Sequence, residues 1–222
     1  MQNLNLLQSI LLFAVPAVMA ITVHEAAHGY TARHFGDRTA EVLGRLTLNP
    51  LKHIDPFGTV LVPLGLLVMS KVAGTPPIVF GWAKPVPVGF RNLRNPQRDM
   101  AIVAAAGPAS NLAMAAGWTV VLALAGTFGG DIQMVEYLAY MAYFGIFFNV
   151  LLAVFNMLPI PPLDGGRVVS GLLPPQASMK FDQIERFGFM IVILLIMSGW
   201  LWQIIGPIFN AILGFYLGFL NI

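Results

Sequence analysis

Two histidines and a glutamate, His24, Glu25 and His28, lie within a long apolar stretch of the sequence. In a helix, residues 24 and 28 lie on one face about 5–6 Å apart, so both imidazoles can hold one metal ion with Glu25 beside it. This spacing is typical of the zinc-binding helix of metalloproteases. A charged side chain near the centre of a bilayer costs about 2.5–3.5 kcal/mol on insertion scales, which favours a functional role for Glu25.

A third metal ligand must come from elsewhere in the chain, because a catalytic zinc site has three protein ligands and one position open to water. The sequence contains no cysteine, so only His, Asp or Glu can supply it. Asp164 stands out because prolines break an apolar helix just before it and Gly165 and Gly166 permit tight turns after it. Non-helical backbone at membrane depth is tolerated where it lines a cavity. Taken alone, Asp164 is also compatible with a helix cap or a turn.

The composition is that of an integral membrane protein. Of the 222 residues, 57% are hydrophobic and only 10% are charged, a balance that soluble domains of this size do not show. The lack of cysteine excludes disulfides, a thiolate zinc site and a cysteine nucleophile. The net charge is only +2 and the basic residues are spread through loops, so we expect contact with the lipid bilayer and no nucleic-acid partner.

Five long apolar stretches predict an all-α polytopic membrane protein with about four to six transmembrane helices, since one span needs about 20 residues. The stretches cover residues 6–30, 57–69, 101–128, 134–158 and 187–220. The last stretch is interrupted at Gly206-Pro207, which leaves open two spans or one span followed by an amphipathic tail. We expect a single membrane-embedded domain over residues 1–222, with a core at about 5–170 and a C-terminal helical segment at about 185–222.

All twelve Lys and Arg residues fall at positions 33–98 or 167–186. The positive-inside rule places both regions in the cytoplasm and the N-terminus outside, so the active site faces the cytoplasmic side of a plasma or inner cell membrane. Residues 57–69 then cannot make a single crossing, and we expect a re-entrant or interface-lying element there. Residues 41–48 and 78–88 alternate in polarity and predict short strands over the active-site mouth, where an edge strand could pair with an extended peptide.

Three motifs, in this order, resemble the signatures of the site-2 protease family, the intramembrane zinc metalloproteases. They are HEAAH at 24–28, GPASN at 107–111 and NMLPIPPLDGGR at 156–167. More narrowly, NPLKHIDPFGT at 49–59 and GWAKPVPV at 81–88 resemble a compact subgroup that lacks a PDZ domain. The combination is highly specific even though HExxH alone is not.

The resemblance implies that His24, His28 and Asp164 bind one Zn2+ per chain and that Glu25 is the catalytic acid and base. It implies a zinc metalloendopeptidase that hydrolyses peptide bonds in or near the transmembrane segments of membrane proteins, as in regulated intramembrane proteolysis. Asn111 matches the family asparagine placed near the substrate. A Gly-Pro-x-x-Asn sequence can also start a helix whose asparagine bonds a neighbouring helix.

Two further polar residues are candidates for supporting the zinc ligands. Asn156 opens the third motif, and His53 lies in the basic loop. Support from a hydrogen-bonded neighbour orients metal ligands in many sites. A loop histidine beside Lys52 is equally compatible with a solvated surface residue.

Two other functions fit some of the same residues. A multi-pass transporter, or a metal-binding membrane protein with a non-catalytic His and Asp site, would also bury ionisable groups. A transporter normally shows paired repeats or several polar positions along a route, whereas here the ionisable groups converge on one site. A prenyl-protein protease typically takes a glutamate from a helix as its third ligand, and the Asp164 turn argues against it.

Overall fold

The computed structural model describes residues 6–74, 81, 83–128 and 133–220, and within these residues the chain is helical. The helices are α1 (Leu6–His34), α2 (Thr39–Val42), α3 (Val62–Ala73), α4 (Pro96–Phe128), α5 (Gln133–Asn156), α6 (Asp164–Leu172), α7 (Pro175–Asp182), α8 (Glu185–Met197) and α9 (Trp200–Gly218). Short 3₁₀ turns at Pro50–Lys52 and Phe90–Asn92 and a π-helical turn at Pro56–Leu61 lie between them. No described residue lies in a β-strand, which confirms the all-α prediction.

Four of these helices are long and apolar enough to cross a membrane. The spans are Leu12–His34, Pro96–Thr127, Met134–Asn156 and Trp200–Gly218. Their outer faces carry large exposed apolar side chains, such as Leu124 on α4 and Phe215 on α9, and such a surface suits lipid rather than water. The chain is therefore a multi-pass membrane protein, and the described residues hold four candidate spans, within the predicted range of about four to six.

The core lies where α4, α5 and α9 meet. Its buried residues are Ala115, Leu122, Ala142, Ile146, Val150, Val154, Leu158, Ile205 and Phe209. Gly145 on α5 lies directly against the Trp118 ring of α4, and a side chain at residue 145 would overlap with that ring. The Tyr216 hydroxyl on α9 donates a 2.8 Å hydrogen bond to the Leu112 carbonyl oxygen on α4. Helix α1 packs against α4 and α5 on the other side of this core.

The backbone between α5 and α6 leaves helical geometry, as the sequence predicts. Helix α5 ends at Asn156 and α6 begins at Asp164, with turns and bends between them. Prolines end helices because they lack the N–H donor that the next turn needs. Gly188 of α8 packs against the Pro161 carbonyl group, so that a β-carbon at residue 188 would overlap with it. The turn that carries Asp164 is therefore held by α8.

The prediction of two short strands is wrong for the described residues. Residues 41–48 lie partly in α2 and partly in irregular turns, and Gly44 reverses the chain with a φ of +62°. Residues 81 and 83–88 are not helical and form no ladder, while residues 78–80 and 82 lie outside the described part of the chain. Pro85 and Pro87 have no N–H to donate, so this segment cannot complete a regular strand ladder.

The predicted interruption at Gly206-Pro207 is also wrong. Helix α9 continues through both residues, because proline is tolerated within transmembrane helices. The break lies instead at Gly199, whose φ of +76° favours glycine, and it separates α8 from α9.

Residues 57–69 form the π-helical turn and most of α3. The 12 residues of α3 extend about 18 Å, and the 6 residues of the π-helical turn before it add at most about 9 Å, so the element is shorter than the roughly 30 Å hydrocarbon core. A re-entrant or interface-lying position for this element stays a prediction.

Candidate metal centre

Helix α1 places His24 and His28 one turn apart, and both imidazoles are buried against α4. Their Nε2 atoms are 3.0 Å apart. Gly107 of α4 lies at this point, and a β-carbon there would overlap with the His28 Nε2 and His24 Cε1 atoms. The missing side chain therefore lets α4 approach α1 closely enough to enclose both rings.

Asp164 completes the cluster from the first residue of α6. Its Oδ2 atom lies 3.2 Å from His24 Nε2 and 3.4 Å from His28 Nε2. This oxygen is buried without a hydrogen-bond partner. Leu163 occupies the N-cap of α6 and no side chain caps it, so Asp164 is not the helix cap that the sequence alone allowed. Among the described residues, His24, His28 and Asp164 form the one group that could hold a metal ion.

The protonation pattern of the two rings suits a cation. His24 Nδ1 lies 2.6 Å from the Asn111 Oδ1 atom, and His28 Nδ1 lies 2.7 Å from the Val103 carbonyl oxygen. Both partners only accept, so each neutral ring carries its proton on Nδ1 and a lone pair on Nε2. Two nitrogen lone pairs and one carboxylate oxygen then face one another with no proton between them. Such a three-ligand N and O set fits a catalytic zinc ion, which takes three protein ligands.

Glu25 lies beside the cluster and contacts the segment that follows α3. Its Oε2 atom accepts a 2.6 Å hydrogen bond from the backbone N–H of Val86. Pro85 and Pro87 flank Val86, so the Val86 amide is the only backbone donor among these three residues. The Lys84 N–H donates to the His53 carbonyl oxygen at 2.9 Å, which holds the same segment from its other side.

Asp37 connects residues 89–92, which follow the segment with Val86, to the end of α1. It is buried, and it accepts hydrogen bonds from the Thr39 hydroxyl and N–H, the Asn92 amide and the Gly89 N–H. Burial alone would raise the pKa of Asp37, but these hydrogen bonds outweigh burial and lower it. The carboxylate is therefore ionised at neutral pH and ties residues 89–92 to α1.

Comparison with known proteins agrees with this geometry. The family model of Peptidase family M50 matches residues 12–140 and 125–199. The chain belongs to peptidase family M50. It is 38% identical over 199 residues to "Putative zinc metalloprotease YwhC" of Bacillus subtilis, covering 89% of this chain and 85% of that protein. It is 33% identical over 181 residues to "Putative zinc metalloprotease Rip2" of Mycolicibacterium smegmatis, covering 82% of this chain and 64% of that protein. No solved structure matches the chain.

Membership of family M50, together with four apolar helices, identifies the chain as an intramembrane zinc metalloprotease of the site-2 protease type. Its substrates are accordingly proteins, and its setting is the membrane. None of these observations favours the transporter or the non-catalytic metal site. The individual roles of the clustered residues stay predictions, which the geometry supports.

Asn111 of this M50 protein is fully buried between helices. Besides the bond to His24, its Nδ2 donates to the Ala20 carbonyl oxygen at 3.1 Å and to Asn149 Oδ1 at 2.9 Å. These are the bonds to neighbouring helices that the sequence allowed as an alternative. Direct contact between Asn111 and substrate stays a prediction.

His53 and Asn156 lie outside the three-residue cluster. His53 is buried, and its Nε2 donates to the Thr47 carbonyl oxygen at 2.9 Å. The Asn156 amide donates to the Leu152 carbonyl oxygen one turn earlier at 3.0 Å. Neither residue hydrogen-bonds a clustered side chain, and their role in supporting the zinc ligands stays a prediction.

Three residues at this M50 site carry weaker sequence signals. Gly107 lies within the GPASN motif, but the need for glycine there comes from its contact with the two imidazole rings, which the sequence does not show. Val86 could be suspected from the flanking prolines, which leave a single donor. Asn149 is an amide in an otherwise apolar span, and intramembrane polar residues usually find a partner on another helix.

Proposed function

We propose that this chain is a zinc metalloendopeptidase that cuts peptide bonds in or near the transmembrane segments of other membrane proteins. The observation that carries the proposal is the convergence of His24 Nε2, His28 Nε2 and Asp164 Oδ2 beside Glu25, while an acceptor lies at the Nδ1 atom of each ring. These three residues hold one Zn2+ per chain. Zinc, when bound, supplies a Lewis acid that polarises a carbonyl group and lowers the pKa of water to about 7.

Glu25 is the proton carrier of the proposed reaction. Its carboxylate takes a proton from the attacking water and returns it to the leaving amine. The N–H of Val86 holds Oε2 at 2.6 Å and so fixes the orientation of the side chain. The fold supports this role because His24 and Glu25 are adjacent on α1. His24 contacts Asn111 of α4, and Glu25 contacts Val86 in the segment 83–88.

The substrate follows from the depth of the site. Two proposed ligands lie on α1, whose residues Leu12–His34 are long and apolar enough to span a membrane. A helical substrate hides its carbonyl groups in intrahelical hydrogen bonds. The substrate segment must therefore unwind locally before its carbonyl group can be attacked.

The proposed location is a plasma or inner cell membrane, with the active site toward the cytoplasmic side. The basic residues at 33–98 and 167–186 support this orientation. Both regions adjoin the helix ends that carry the site, namely the ends of α1 and the beginnings of α4 and α6. We also propose that residues 1–222 act as one membrane-embedded domain.

The test is to measure bound zinc and proteolysis in the same purified preparations. Glu25→Gln should retain zinc and lose about 10²–10⁴-fold in cleavage of a single-span reporter substrate, because only proton transfer is removed. His24→Ala should lose both zinc and cleavage, because two ligands hold zinc poorly. His34→Ala, an exposed histidine at the end of the same helix, is the matched control and should behave as wild type. Near-normal turnover by Glu25→Gln would refute the proposed acid and base role.

A further inference from the structure

Asn149 is a fully buried amide on α5 with no assigned role. Its Nδ2 donates a 2.8 Å hydrogen bond to the Gly145 carbonyl oxygen one turn earlier on the same helix. Its Oδ1 accepts a 2.9 Å hydrogen bond from Asn111 Nδ2. Asn149 therefore hydrogen-bonds none of the three clustered residues, but two successive hydrogen bonds through Asn111 link it to His24.

Backbone carbonyl groups, which can only accept, fix the orientation of the two side-chain amides that lead from Asn149 to His24. The Gly145 carbonyl requires Nδ2 of Asn149, which turns Oδ1 of Asn149 toward Asn111. Asn111 must then present its Nδ2, whose two hydrogens reach Asn149 Oδ1 and the Ala20 carbonyl oxygen. The Asn111 Oδ1 atom is left to accept from His24 Nδ1.

The orientation of the Asn111 amide determines whether His24 Nε2, the ring atom that faces the cluster, carries a proton. A ring that donates from Nδ1 to Asn111 has its lone pair on Nε2, which faces His28 and Asp164. A reversed Asn111 amide would aim its N–H groups at His24 Nδ1 and would favour the tautomer with the proton on Nε2. That tautomer cannot bind a metal through Nε2, so the amide orientation controls ligand availability.

We propose that Asn149 is a positioning residue that acts through Asn111 to hold His24 in its metal-binding tautomer. The proposal rests on the proposed role of His24 as a zinc ligand. Residues that hydrogen-bond a metal ligand directly typically change metal affinity about 10–100-fold when they are removed, and Asn149 holds such a residue, Asn111. The path runs through three helices, since Asn149 lies on α5, Asn111 on α4 and His24 on α1.

The test compares Asn149→Leu with Asn149→Asp in purified full-length protein. Leucine has no acceptor for Asn111, so Asn149→Leu should weaken zinc binding about 10–100-fold. In Asn149→Asp the buried carboxyl group, in its protonated form, donates to the Gly145 carbonyl oxygen and still accepts from Asn111, so zinc affinity should stay within a few-fold of wild type. Thr119→Val is the matched control, because the buried Thr119 hydroxyl bonds only the Ala115 carbonyl of its own helix.

Two readouts separate positioning from packing. The first is the zinc dissociation constant, measured by chelator competition, beside the melting temperature of the metal-free protein. The second is the 15N spectrum of labelled histidine in metal-free protein, which is tractable because the chain has four histidines. Asn149→Leu should shift the His24 signals toward the Nε2-protonated form, whereas Asn149→Asp and Thr119→Val should not.

Each outcome bears on the proposal. Weaker zinc binding by Asn149→Leu than by Asn149→Asp, with a changed His24 tautomer, supports it. If Asn149→Asp binds zinc no better than Asn149→Leu, or if the tautomer is unchanged in both, Asn149 acts through packing and the proposal fails. If Asn149→Leu does not fold, a change of His24 tautomer or of zinc affinity in Asn149→Asp overturns it. Zinc binding by His24→Ala at wild-type affinity would instead refute the ligand assignment itself.

Discussion

Asp164 has a buried carboxylate oxygen that no hydrogen bond from the protein satisfies. Its Oδ2 atom is buried, lacks a hydrogen-bond partner and faces two imidazole nitrogens. When both rings carry their protons on Nδ1, no protein group donates to this oxygen, and a buried carboxylate oxygen in that setting suits a cation. The position at the start of α6 serves this purpose, because the turn before it directs the side chain into the cluster rather than along the helix.

We predict that Asp164→Asn removes zinc and cleavage but leaves the fold intact. The amide is nearly isosteric, and Asp164 neither caps α6 nor binds another protein group through Oδ2. The loss of zinc affinity should exceed the 10–100-fold that is typical of a supporting residue, since a ligand itself is removed. Metal analysis and a melting curve on one preparation measure both parts. Full activity with one zinc per chain would remove Asp164 from the site.

We predict that Gly107→Ala damages the site and that Gly117→Ala does not. Both glycines lie on α4, and alanine favours a helix over glycine by about 1 kcal/mol, so helix propensity cannot explain a loss. A β-carbon at residue 107 overlaps with both imidazoles, whereas residue 117 has no neighbour within 4 Å. Overpacking of this kind costs about 1–3 kcal/mol, and zinc affinity and cleavage should fall with it. Equal zinc binding by the two variants would show that α4 does not need this close approach.

The sequence predicts which residues lie together at the candidate site better than it predicts their hydrogen-bonded neighbours. His24, Glu25 and His28 are found because their spacing is local to one helix, and Asp164 is found because its turn has a proline and glycine signature. Asn111 is found only as part of a motif. Its hydrogen bonds depend on how α1, α4 and α5 pack, and a single sequence contains no direct record of that packing.

At the scale of elements, apolar length predicts the spans because a bilayer sets a minimum helix length. The strand predictions fail because alternation of polarity says nothing about a partner, and the prolines at 85 and 87 remove the donors that a ladder needs. The prediction of a helix break at Gly206-Pro207 fails because local sequence does not show which glycine interrupts the helix. Gly206-Pro207 lies inside a membrane helix that tolerates it, whereas Gly199 adopts a φ of +76° and ends the helix.

We predict that Gly188→Ala disturbs the site through the loop before α6. A β-carbon at residue 188 would overlap with the Pro161 carbonyl group, which is backbone and cannot rotate away. The loop must shift, and Asp164 moves with it, so cleavage should fall by about tenfold or more for a displacement near 1 Å. Gly214→Ala on α9 meets no atom within 4 Å and serves as the control. Unchanged cleavage by Gly188→Ala would show that α8 does not hold this loop.

We predict that Asp37, just after the end of α1, makes the stability of the fold depend on pH. The pKa of Asp37 is lowered in the folded state, so its contribution is complete at neutral pH. It begins to be lost as the pH falls to the unfolded value of 3.8, and it is gone below the lowered folded pKa. Asp37→Asn should cost about 1–3 kcal/mol at pH 7, because the amide meets N–H groups that need an acceptor.

Melting temperatures of wild type and Asp37→Asn across this acidic range measure the effect. The gap between the two proteins should narrow as the pH falls, because protonation removes the charge that the substitution lacks. Asp55→Asn is a control for carboxylates in this region, since Asp55 caps the π-helical turn through the Phe57 and Gly58 N–H groups and an asparagine caps equally well. A gap that is constant with pH would exclude Asp37 as the titrating group.

At the scale of the whole molecule, the four spans and the charge map agree. If α1 enters from outside, α4 returns outward, α5 crosses inward and α9 crosses outward. The basic residues before α4 and those between α5 and α9 then all lie inside, as the positive-inside rule requires. The two spans between the basic regions, α4 and α5, decide this agreement, since an odd number of crossings between the regions would leave one of them outside.

We predict that single cysteines report this arrangement in intact cells. The chain has no native cysteine, so the unsubstituted protein gives a blank. Met134→Cys, at the exposed start of α5, should react with a membrane-impermeant thiol reagent added outside, whereas Arg94→Cys and Lys180→Cys should react only after lysis. Labelling of residue 94 or 180 from outside would show that the topology is the reverse of the one proposed. The helix ends with His28 and Asp164, next to these basic regions, would then lie toward the outer side. The reversed topology would also move water access to the zinc site, and with it the proteolysis, to the outer side of the membrane.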